Sequence, residues 1–120
     1  MAVGDTYVWC PTGTVKDHLW IVISDPIGPD ALCVVINLTE SFHGENAFTL
    51  KPGQHPYIYK DSDVNFGDAF LTSQNDLIQQ VKYGSAKPHA QMDGNIVSEI
   101  ILRAKTHPAF MPKLRKYLPN

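Results

Sequence analysis

Two apolar runs of strand length, separated by a stretch unable to continue either, constrain this chain more than anything else in it. His18-Leu-Trp-Ile-Val-Ile-Ser24 and Ala31-Leu-Cys-Val-Val-Ile-Asn-Leu38 are nearly continuous and rich in β-branched residues. Runs of that length and composition read as strands buried on both faces. Between them, Asp25-Pro-Ile-Gly-Pro-Asp30 holds two prolines and a glycine, which fix φ, remove backbone donors and permit left-handed turns. The two runs therefore predict an antiparallel hairpin at the heart of the fold.

Shorter segments surround it. Thr6 to Cys10 is β-branched and aromatic, and Pro11 ends it. Ala47 to Leu50 is a short strand candidate, and His55-Pro-Tyr-Ile-Tyr59 reads as extended because a residue before proline is pushed out of the helical region. On that reading Tyr57 and Tyr59 share one side. Val64 to Leu71 is another strand, with Gly67-Asp68 marking a bulge. Five or six short strands with frequent turns predict a mainly β fold, a small antiparallel barrel.

After residue 72 the period changes. Leu77, Ile78 and Val81 predict a helix over Asn75–Tyr83, stopped by Gly84, and Ser85–Gln91 reads as a loop. Asp93 is the expected N-cap of a helix over Gly94–Thr106, with an apolar stripe of Ile96, Val97, Ile100, Ile101 and Ala104. Met111, Leu114 and Leu118 suggest a final short helix. The 120 residues match the commonest domain size. The expectation is one domain over 1–120, with a β-barrel core at 1–72 and C-terminal helices at 73–120.

Composition, with 43% hydrophobic and 18% charged residues, is that of a globular chain. No apolar run approaches the ~20 residues that span a bilayer, and Met1-Ala-Val-Gly-Asp5 lacks the regions of a signal peptide. The expected location is cytoplasmic, without membrane contact. Cys10 and Cys33 lie in apolar runs and read as buried thiols. Residues 1–72 hold three bases and nine acids, net −6, and residues 73–120 hold seven bases and three acids, net +4, within an overall −2. A phosphate-binding surface is most easily built on the basic tail, although a solvated helix face explains the same charges.

There is no zinc pattern, phosphate loop, nucleophile elbow or dinucleotide fingerprint. The five histidines are not at metal-ligand spacing; His43-x-Glu45 comes nearest, and a solvated loop histidine accounts for it. No metal and no cofactor are expected. The ends of the two central strands are more informative. His18 opens the first and Thr39 closes the second, so a hairpin brings both to one end of the barrel, where loops carrying His55, Lys60, Asp61 and Ser62 can fold over them. An imidazole near neutral pH, a hydroxyl and a cation are the parts of a metal-free ribonuclease: a base for the 2′-OH, an acid for the leaving oxygen and charge for the phosphorane. Each residue also has an ordinary reading: Thr39 and His55-Pro56 as turn residues, Lys60 as a solvated corner.

The order of elements resembles the PemK/MazF-like toxins of bacterial toxin–antitoxin pairs. The matching stretches are Gly4-Asp5, His18 to Ser24 at the family's second strand, Val34-Val-Ile-Asn-Leu-Thr39 at its third, Lys60-Asp-Ser-Asp-Val64 entering a later strand, and Met92 to Ala104 at its closing helix. The resemblance implies an SH3-like barrel, a homodimer, cleavage of single-stranded RNA and neutralisation by an antitoxin protein. It places Thr39 at the family's active-site threonine. The family's arginine–proline pair has no counterpart, since Lys16-Asp17-His18-Leu19 stands there, leaving Lys16 or His18 to supply positive charge. The expected catalytic residues are thus His18, Thr39 and His55, with Lys16, Lys60 and Ser62 binding substrate. The alternatives are a non-catalytic SH3-like binding module, a toxin acting on a protein target, or a nucleic-acid binder using Arg103, Lys105, Arg115 and Lys116.

Overall fold

The two apolar runs do pair. In the computed structural model, which describes residues 2–11, 15–41 and 44–120, β2 (His18–Val22) and β3 (Leu32–Glu40) are antiparallel, with Trp20 opposite Asn37 and Val22 opposite Val35. Around them lie β1 (Thr6–Trp9), β4 (Thr49–Leu50), β5 (Ser62–Ser73) and β6 (Ala86–His89). Together they form one antiparallel sheet, in the order β4-β5-β3-β2-β1-β6, curled into a half-barrel. Among the described residues the end strands β4 and β6 do not pair with each other, so the sheet stays open.

Two apolar layers hold the sheet, as the alternation of strand side chains requires. Leu19, Ile21, Val34, Ile36, Leu38, Val64 and Phe66 point into the larger core, closed by Val97, Ile100 and Ala104 of α2 (Gly94–Ala104) and by Phe110 and Leu114. On the other face Trp9, Trp20, Val22, Cys33 and Val35 meet Leu77 of α1 (Gln74–Lys82). Trp20 sits edge-on to both Trp9 and Phe70, at centroid distances of 5.9 and 5.1 Å, and its indole N–H donates to the Trp9 carbonyl at 3.0 Å. That bond satisfies the one polar atom of an otherwise apolar, fully buried ring. The helix starts follow their caps. The Ser73 hydroxyl accepts from the Asp76 N–H, and the Asp93 carboxylate accepts from Asn95 and Ile96.

The bulge at Gly67-Asp68 is present. Val35 pairs with Phe70 but Asn37 pairs with Asn65, so β5 has three more residues than β3 between these rungs. Several expectations need correction. Ser85–Gln91 is not only a loop: its Ala86–His89 is β6, paired with β1 from Trp9–Ala86 to Thr6–His89, so the last third is not wholly helical. Lys87-Pro88 reads as a loop, yet proline is tolerated on an edge strand, whose outer donors need no partner. His55–Tyr59 is not extended: the Ile58 N–H donates to the His55 carbonyl at 3.0 Å, closing a turn that leaves Tyr57 half-buried and Tyr59 exposed. The last helix is a 3₁₀ segment, Pro112–Tyr117. Cys10, just past β1, is exposed, while Cys33 is buried, and among the described residues there is no disulfide. No helix among the described residues is long and apolar enough to cross a membrane.

Candidate functional site

Strand alternation divides the second sheet face. Its apolar half is the Trp9–Trp20–Phe70 cluster under α1. Continuing each strand toward the opposite end, the positions with the same side-chain direction are His18 after Trp20, Asn37 and Thr39 after Val35, and Asp63 and Asn65 flanking the core residue Val64. Every one of these is polar. Extending the Trp20–Asn37 rung by two residues sets His18 opposite Thr39.

His18, Thr39, Lys16, Lys60 and Ser62 line one open cleft of about 190 Å³ at this end of the sheet. Asp17, Glu40, Tyr57 and Tyr59 line it too. His18 and Thr39 are both half-buried, reachable yet held by their strands. The His18 Nδ1 lies 3.0 Å from the Leu38 carbonyl oxygen. A carbonyl only accepts, so Nδ1 carries the proton and the neutral ring keeps its lone pair on Nε2. Among the described residues neither Nε2 nor the Thr39 hydroxyl is engaged in a hydrogen bond. The Ser62 hydroxyl donates to the Lys60 carbonyl at 3.0 Å, shaping the corner that brings the lysine in.

The charges at the mouth balance. Lys60 Nζ donates to Glu40 at 2.9 Å, and both side chains are exposed. The hydrogen bond holds the Glu40 carboxyl below its usual range, with the Lys60 charge adding to it, and the same bond raises the Lys60 ammonium. The Tyr57 phenol is raised, mainly by burial and then by the Asp17 and Tyr59 charges.

His55 stands apart from the cleft. It is 2% exposed. Its Nδ1 accepts from the Tyr57 N–H at 3.0 Å, so Nε2 carries the proton and donates to the Ala90 carbonyl at 2.6 Å. The Thr6 hydroxyl donates to that same oxygen at 2.7 Å. His55 ties the loop ahead of the cleft to the chain leaving β6; it supports Tyr57 and does not itself face the cleft. Burial pushes its pKa below the usual imidazole value, and the neighbouring His89 charge pushes the same way.

Sequence reasoning missed Asp17 and Glu40. Each is adjacent to a residue it did single out, but only the strand register shows that Glu40 ends opposite Ser62, within reach of Lys60. Both arginines of the basic tail have partners within the chain. Arg115 donates to the His107 and Ala104 carbonyls at 2.9 and 3.3 Å, and Arg103 stacks on the Phe48 ring at 4.5 Å. His43 lies outside the described residues, and among those described no three His, Cys, Asp or Glu side chains gather as metal ligands. No family model, curated protein or solved structure matches this chain.

Proposed function

We propose that the chain is a PemK/MazF-like toxin, an endoribonuclease that needs no metal and cuts single-stranded RNA at the His18–Thr39 cleft. The observation that carries this reading is the fixed tautomer of His18. A ring with its proton locked on Nδ1 by Leu38 presents a basic Nε2, opposite a hydroxyl and beside two ammonium groups.

In the reaction, Nε2 takes the proton of a ribose 2′-OH as that oxygen bonds to the adjacent phosphorus. The bond from phosphorus to the 5′ oxygen breaks, and that oxygen takes a proton from water at the open mouth. The products are a 2′,3′-cyclic phosphate and a 5′-hydroxyl. Thr39 donates to a non-bridging oxygen, and Lys16 and Lys60 offset the charge that develops there. The SH3-like barrel, homodimer and antitoxin protein belong to the same reading; the curled antiparallel sheet supports it.

The balanced charge of the mouth favours a second reading, a non-catalytic barrel module that binds a protein. RNA binding draws on phosphate neutralisation, and Glu40 occupies Lys60. Incubating the purified chain with mixed single-stranded RNA decides between them. Fragments ending in cyclic phosphate, lost in His18→Ala, support the nuclease; intact RNA together with a protein captured through the cleft supports the module.

A further inference from the structure

We infer that Asn65 reads the base beside the scissile phosphate, in a second cleft that meets the first at Thr39. The inference rests on the ribonuclease reading and names where its sequence preference comes from. This second cleft, about 240 Å³, is lined by Thr39, Asn46, Asp63, Asn65, Phe66 and His107 among others. Thr39 also lines the first. Both volumes fall below the ~300–1,000 Å³ of pockets that enclose a small molecule. Two shallow clefts joined at one residue suit an extended chain laid across the strands, not a metabolite swallowed whole.

The register gives the spacing. Thr39 pairs with Asp63 and Asn37 with Asn65, so Thr39 and Asn65 are diagonal neighbours on one face, about 7–8 Å apart. That is one step along an extended strand of RNA. The side chains around Asn65 are fixed by their own bonds. One Asp63 carboxylate oxygen accepts from the Ser41 and Thr49 hydroxyls at 2.8 and 2.6 Å. His107 accepts at Nδ1 from the Ala109 N–H and donates from Nε2 to the Asn46 carbonyl. Its ring lies flat on Phe66, with centroids 4.2 Å apart and planes 15° from parallel. These bonds and the stacked ring hold the rim of the cleft in place.

Asn65 differs from these neighbours. It is half-buried, and among the described residues its amide makes no hydrogen bond. One carbonyl and one amino group on a single side chain match the paired acceptor and donor on a base edge, which neither a lone hydroxyl nor a carboxylate does.

The test is to sequence the fragment ends from a mixed single-stranded RNA pool cut by the wild-type chain, Asn65→Ser and Asn65→Asp. Circular dichroism would confirm that each variant folds. Wild-type ends should share a preferred base at one position next to the cut. Asn65→Ser should still cut, with that preference flattened about tenfold. Asn65→Asp, which only accepts, should favour bases presenting an amino group. Cutting by both variants with unchanged preference would overturn the role of Asn65 and leave the His18 site standing. Wild-type protein that cuts no RNA would remove both readings.

Discussion

The His18 ring and the Leu38 backbone carbonyl meet at 3.0 Å, so the strand that carries Thr39 also fixes the proton of the imidazole facing it. Base and hydroxyl are positioned by one hairpin, whose register is held by the buried Trp20–Asn37, Ile21–Ile36 and Val22–Val35 rungs. Removing the imidazole should therefore act on chemistry and not on folding. His18→Ala is expected to slow RNA cleavage by about 10²–10⁴-fold, the usual contribution of a positioned general base. Its melting temperature should stay near that of wild type. Cleavage kinetics and a thermal melt on the same preparation check both halves.

The Glu40–Lys60 ion pair is exposed on both sides, so its loss should leave stability unchanged. Its effect on RNA should be plain. Glu40→Gln frees the ammonium and removes a negative charge from the mouth, and is expected to tighten RNA binding and steepen its salt dependence. Lys60→Ala should weaken binding and flatten that dependence. Filter binding or fluorescence anisotropy across a salt series reads both.

His55 makes stability depend on pH. Its folded-state pKa is depressed below the usual 6.5, by burial first and then by the His89 charge, against the opposing pull of the Ala90 carbonyl. Protonation also puts a hydrogen on Nδ1, facing the Tyr57 N–H. The sign follows from proton counting. Below pH 6.5 the unfolded chain binds a proton that the folded one resists, so the His55 contribution is whole above 6.5 and falls as the solution is acidified. His55→Gln should be less stable at pH 7.5 by about 2 kcal/mol, through unsatisfied buried groups, and should lose less on acidification. Urea unfolding at pH 7.5 and 5.5 tests this.

Gly4 holds a backbone conformation that other residues adopt only under strain. Its φ is +95°, and an added Cβ would lie 2.4 Å from the Gln91 side-chain nitrogen. Its N–H donates to the Val22 carbonyl at 2.8 Å and its carbonyl accepts from Met92 at 3.0 Å, linking the end of β2 to the approach of α2. Gly4→Ala is expected to cost about 1–3 kcal/mol, seen as an earlier urea midpoint with an unchanged slope.

The hairpin, the Asp93 cap and the bulge were legible because each rests on local chemistry: apolar runs, a capping side chain, a Gly-Asp pair. β6 was not, because Lys87-Pro88 owes its strand conformation to the partner β1 and not to its own propensity. The nearness of His18 and Thr39 followed from hairpin geometry; that of Lys60 and Ser62 rested on loops able to fold over that end, and the pairing of β5 with β3 brings them there. The separation of His55 did not, since whether a histidine in a turn faces a cleft or a buried carbonyl is decided by Ala90, 35 residues further along the chain. The Glu40 partner of Lys60 likewise needed the register of β3 against β5.

The most direct measurement is incubation of the purified chain, in excess chelator, with a mixed pool of single-stranded RNA, followed by analysis of the fragment ends. Fragments carrying 2′,3′-cyclic phosphate, formed by the wild type and absent with His18→Ala, are the expected result. RNA left intact by folded wild-type protein, or fragments that persist undiminished in His18→Ala, would contradict the assignment of this cleft as a nuclease site.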